Sequence, residues 1–117
     1  MSGERGILTL AGVPIGDVRD APPRLRDALA TSDVVAAEDT RRLNRLARDL
    51  DVKVAGRVLS YFDGNEQARA GELIEALEDG DDVLLVTDAG MPGVSDPGYR
   101  LVVAAAEAGI RVTAIPG

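Results

Sequence analysis

The 117 residues carry a net charge of −7, a hydrophobic fraction of 45% and a charged fraction of 28%, values that fit one globular domain with a real core. With no cysteine and no histidine, disulfides, zinc thiolate sites and the commonest general base are excluded, so any acid–base chemistry falls to carboxylates, Tyr, Lys or the substrate. No apolar run approaches the ~20 residues of a membrane span, and no basic-then-apolar signal opens the chain.

In chain order, Ile7-Leu8-Thr9-Leu10-Ala11 predicts a first strand, closed by the turn-rich Gly12-Val13-Pro14-Ile15-Gly16-Asp17. Pro22-Pro23 opens a short helix with Leu25, Ala28 and Leu29 on one face. Val34-Val35-Ala36-Ala37 is a second strand, ended by Glu38-Asp39-Thr40, and Asp39 or Thr40 can cap the next helix. That helix carries Leu43, Leu46, Ala47 and Leu50 as an amphipathic stripe. Val58-Leu59-Ser60-Tyr61 predicts a third strand; Asp63 or Asn65 can cap the helix after it, whose stripe is Ala70, Leu73, Ile74 and Leu77. Val83 to Val86 is a fourth strand, apolar throughout as a strand buried on both faces must be. Asp96-Pro97 starts a last helix, Gly109 stops it, and Val112-Thr113-Ala114-Ile115 is a fifth strand.

Strands alternating with helices imply βαβ units: one α/β domain over residues 1–117, with a mostly parallel sheet of about five strands and helices on both faces. The chain stops on Pro116-Gly117 directly after a strand, as expected of a domain cut from a longer protein.

In a parallel sheet the loops after strands one, two and four fall at one end, where open α/β folds bind ligands. They gather Pro14, Ile15, Gly16, Asp17, Glu38, Asp39, Arg41, Asp88, Gly90 and Pro92 around one crevice. The third of these loops, Thr87 to Tyr99, holds three glycines and two prolines that shape the backbone and leave main chain bare for a ligand. Neither a dinucleotide fingerprint nor a P-loop is present, and Pro14 removes a donor where a phosphate cradle would need one. A flat, mostly uncharged, nucleoside-like ligand fits better. Glu38 and Asp39 read two ways: as the start of a helix, or as carboxylates facing substrate.

Arginine outnumbers lysine twelve to one. Arg41, Arg45 and Arg48 share the helix face opposite the leucines, which either is solvated or tracks phosphates. The helix after it shows an acidic face of Glu72, Glu75, Glu78 and Asp79, a solvated surface that repels nucleic acid.

Val13-Pro14-Ile15-Gly16-Asp17, Ala37-Glu38-Asp39-Thr40-Arg41, Ser60-Tyr61 with Asn65-Glu66, and the long Asp88–Tyr99 segment together resemble the ribosomal RNA small subunit methyltransferase I family of the tetrapyrrole methylase superfamily. The resemblance runs in order from about Ile7 to Gly117, and the Asp88–Tyr99 motif is its most specific part. It implies an S-adenosylmethionine-dependent enzyme that methylates the 2′-oxygen of a cytidine ribose in small-subunit ribosomal RNA. It also implies two α/β domains with the cofactor in the cleft between them, this chain being the N-terminal one and the C-terminal domain its missing partner. A homodimer in the cytoplasm, with no metal, is implied as well.

By position, Pro14, Ile15, Gly16, Asp88, Gly90, Met91, Pro92 and Val94 form this domain's share of the cofactor site. Glu38 or Asp39 is the expected proton acceptor or substrate anchor, and Arg41 the phosphate contact. Val13, Asp17 and Met91 depart from the family's usual Thr, Asn and Thr, and Phe62-Asp63-Gly64 stands where relatives carry His and Glu. Two other readings remain: a methyltransferase acting on a tetrapyrrole, and a non-catalytic nucleotide-binding domain.

Overall fold

A computed structural model of the chain describes residues 5–12, 21–62, 64–87 and 97–115. The elements alternate as β1 (Ile7–Gly12), α1 (Pro23–Thr31), β2 (Val34–Ala37), α2 (Thr40–Asp49), β3 (Arg57–Ser60), α3 (Glu66–Glu78), β4 (Val83–Thr87), α4 (Pro97–Glu107) and β5 (Arg111–Ile115). The strands form one five-stranded sheet in the order β3-β2-β4-β1-β5, and every neighbouring pair is parallel.

Side chains alternate across the sheet as the pleat requires. Leu8, Leu10, Val34, Ala36, Val83 and Leu85 face one core, completed by Leu73 and Leu77 of α3 and Leu101 and Ala105 of α4. Ala11, Val35, Ala37, Leu84 and Val86 face the other, completed by Leu25 and Leu29 of α1 and Leu43 and Leu46 of α2. Two helices therefore cover each face, which is why β4, in the middle, is buried along its whole length.

The helix ends agree closely with the sequence. Pro23 occupies the first turn of α1, and the left-handed Gly80 and Gly109 (φ 101° and 76°) come after α3 and α4. At the amino ends of the strands two aspartates do the work of a turn. Asp33 Oδ2 accepts from the Asp82 amide at 2.8 Å, and Asp82 Oδ1 accepts from the Ile7 amide at 2.9 Å. These bonds tie the entries of β2, β4 and β1 together.

Two sequence readings need correction. β3 ends at Ser60, so Tyr61 lies just beyond the strand; its amide still reaches Ala37 O at 2.8 Å. Asn65 precedes α3, but its side chain caps no helical amide. Instead its Oδ1 accepts from the Phe62 amide at 2.9 Å, and its Nδ2 donates to Ser60 O and Oγ at 3.2 Å. An Asn amide has both a donor and an acceptor, so it can brace a turn that a carboxylate could not. The alternative cap Asp63 and the proposed cap Asp96 lie outside the described residues.

Candidate functional site at the carboxyl edge of the sheet

The strand order and the placement of the helices create the crevice. β1 and β2 feed α1 and α2 on one face, whereas β4, which lies between them, feeds α4 on the other. The helix that follows β4 thus lies on the opposite face from those that follow its two neighbours, the topological switch at which open α/β sheets bind ligands. The strand ends are level: Gly12 pairs with Thr87, Ala37 with Val86 and Ala37 with Ser60. Gly12, Ala37, Ser60 and Thr87 close four adjacent strands with small side chains.

Of the residues expected here, Glu38, Asp39 and Arg41 are described, and all three stand at the exit of β2. Glu38 comes directly after the last strand residue and is half-buried. Asp39, in extended conformation, caps α2: its Oδ1 accepts from the amides of Arg41 at 2.9 Å and Arg42 at 3.3 Å. Arg42 Nε lies 3.9 Å from Asp39 Oδ2. The Arg42 amide, helped by the Arg41 amide and the nearby guanidinium charges, holds the Asp39 carboxyl below its ordinary value against the opposing effect of desolvation. A carboxylate so engaged is a weaker proton acceptor than an ordinary one. Arg41 is exposed in the first turn of α2, and Arg45 and Arg48 are exposed further along it.

Pro14, Ile15, Gly16, Asp17, Asp88, Gly90, Met91, Pro92 and Val94 lie outside the described residues. Their anchors are described: Gly12 and Thr87, partners in the ladder, set the starting points of both loops side by side.

Sequence reasoning named the segment beyond β3 in the resemblance but placed no site residue there. Tyr61 is buried, and desolvation together with Glu66 pushes its phenol up to about 12 although Arg100 pulls the other way. Phe62 and Tyr99 are exposed at 45% and 47%. Arg100 Nε lies 3.4 Å from Glu66 Oε1, joining the first turns of α4 and α3. A cavity of about 370 Å³ is lined there by Gly64, Asn65, Glu66, Gln67, Ala68 and Arg100. The signal was available, because Tyr61, Phe62 and Tyr99 are the only aromatic residues in the chain.

The family model for Tetrapyrrole (Corrin/Porphyrin) Methylases matches residues 8–117. The chain belongs to the tetrapyrrole methylases. Among relatives of this family, the ribosomal RNA small subunit methyltransferase I of Mycobacterium bovis is 54% identical over 96% of this chain. That of Synechocystis is 45% identical over the same share. The chain spans 39% of the length of each of these relatives. Uroporphyrin-III-C-methyltransferase from Thermus thermophilus superposes with a TM-score of 0.72 at 21% identity, over 97% of this chain and 48% of its own. Diphthine synthase superposes with the same score at 20% identity, over 96% of this chain and 44% of its own. These two share the tetrapyrrole methylase fold, and at such low identity the likeness speaks to fold alone. Among the described residues no helix is long and apolar enough to cross a membrane.

Proposed function

We propose that this chain is the N-terminal domain of an S-adenosylmethionine-dependent methyltransferase that modifies the ribose 2′-oxygen of a cytidine in small-subunit ribosomal RNA. The observation that carries the reading is the 54% identity to a ribosomal RNA small subunit methyltransferase I over 96% of the chain. The relatives' greater length supports a second domain completing the cleft. The small residues that end the strands at the switch point support a ligand site there.

Pro14, Ile15, Gly16, Asp88, Gly90, Met91, Pro92 and Val94 are this domain's cofactor contacts. When bound, S-adenosylmethionine supplies an electrophilic methyl group. Glu38 takes or holds the proton of the ribose hydroxyl, and Asp39 fixes the start of α2 beside it. Arg41 contacts a phosphate of the RNA, with Arg45 and Arg48 continuing the basic face in an otherwise acidic chain. Holding both reactants in line supplies most of the rate. A cytoplasmic homodimer completes the proposal.

Two measurements on the full-length protein test it: titration calorimetry with S-adenosylmethionine, and turnover on small ribosomal subunits. Saturable cofactor binding with Glu38→Gln reducing turnover more than cofactor affinity is the expected result. Failure to bind the cofactor favours a non-catalytic domain instead.

A further inference from the structure

We propose that Phe62 and Tyr99 form a stacking site for an unpaired base of the RNA, with Arg100 as the cation beside it. This rests on the reading of the chain as an RNA methyltransferase and names where the substrate strand is gripped next to the acceptor nucleotide.

The chain has three aromatic residues and all of them occur after β3 or in the first turn of α4. Only Tyr61 turns into the core; its two companions remain about half-exposed, while every other large buried side chain is aliphatic. One exposed aromatic is ordinary, but here the Phe62 ring lies over Gly64, a cavity residue, and Tyr99 directly precedes Arg100, another, so two exposed aromatics adjoin the lining of one cavity.

Phe62 is bonded to Asn65 through both its backbone groups. The Phe62 amide donates to Asn65 Oδ1 at 2.9 Å, and the Phe62 carbonyl accepts from the Asn65 amide at 2.9 Å. Its ring lies over Gly64, where an added Cβ would come within 2.5 Å of Cε2, so glycine lets the ring lie against main chain. Gly64 in turn lines the cavity of about 370 Å³, which Arg100 also lines. The Arg100–Glu66 pair at 3.4 Å links the segment bearing Phe62 to the turn bearing Tyr99.

The chemistry selects an occupant. Aromatic faces stack on any base, a guanidinium can stack on a base or meet a phosphate, and the Gln67 amide and Glu66 carboxylate can bond base edges. The volume falls in the range of small-ligand sites, ~300–1,000 Å³. The site is also continuous with the proposed chemistry. Ser60 stands beside Ala37 in the ladder, so Phe62 and Glu38 leave adjacent strands at the same edge. A strand whose phosphates track Arg41 can place a neighbouring base against Phe62.

The test uses the full-length protein with small ribosomal subunits as substrate and single-stranded oligocytidine as the binding probe. Phe62→Leu and Tyr99→Leu each remove a ring at an exposed position. Each should raise KM for the subunits and weaken oligocytidine binding by a factor of ~5 to ~150. S-adenosylmethionine affinity should not move, and Phe62→Tyr should restore what Phe62→Leu loses. Unchanged KM and oligocytidine affinity in the double variant, with the native protein methylating RNA, would overturn the stacking site alone. A native protein that binds the cofactor and leaves RNA unmethylated would instead overturn the reading beneath it.

Discussion

Asp39 Oδ1 lies 2.9 Å from the backbone nitrogen of Arg41 and 3.3 Å from that of Arg42, so one of two adjacent carboxylates is engaged in capping the helix. Asn caps nearly as well as Asp, whereas Ala cannot cap. Asp39→Ala should therefore lower thermal stability and Asp39→Asn should largely keep it. Because the folded carboxyl titrates below its ordinary value, its stabilising contribution is fully present above the unfolded value. It is lost as the pH falls through the folded one. Melting curves of the native chain and Asp39→Ala should converge as the pH drops below about 4.

Tyr61 gives the opposite end of the pH scale. Its phenol titrates at about 12 in the folded chain and near 10 when unfolded. The folded state thus binds more protons between those values, so stability falls as the pH rises from 10 to 12. Denaturant unfolding across this window should show the slope in the native chain and lose that component in Tyr61→Phe.

Among the described glycines, the closest approaches of backbone to backbone are at the amino edge. A Cβ on Gly6 would lie 1.6 Å from Asp81 O, and one on Gly56 would lie 2.4 Å from both Ser32 O and Asp33 O. Neither neighbour is a flexible side chain. Gly6→Ala should cost about 3 kcal/mol, the upper end of the usual overpacking range, measured by urea denaturation. Gly71→Ala is the control, since nothing lies within 4 Å of an added Cβ there.

The arginine face of α2 is tested through salt. Each phosphate contact on a single strand contributes ~0.7 to the slope of log affinity against log salt. Replacing Arg45 and Arg48 by Ala in the full-length protein should flatten the slope by about 1.4 if both meet phosphate. An unchanged slope assigns the face to solvent.

Much of this was legible in the residues. Periodicity found all nine elements because each helix carries one aliphatic stripe, such as Leu43 and Leu46, and β4 carries apolar side chains on both faces. Asp39 as a cap was one of two open readings, and its hydrogen bonds to the Arg41 and Arg42 amides show the cap. Strand order was not legible, since β4 reaches its place between β2 and β1 through contacts far apart in the chain. Asn65 misled for a related reason: it bonds backward to Ser60 and Phe62, and propensity alone sees only the helix ahead. The aromatic patch needed Arg100 and Glu66 brought together across 34 residues of sequence. The cofactor loops were read from motif alone, and Gly12 and Thr87 now set only their points of departure.

The function turns on which molecule receives the methyl group. The direct measurement incubates the full-length protein with radiolabelled S-adenosylmethionine and either small ribosomal subunits or a porphyrinoid, then digests the RNA to nucleosides. Label in 2′-O-methylcytidine, reduced in Glu38→Gln, is the predicted result. Label in the porphyrinoid with none in the RNA would contradict it.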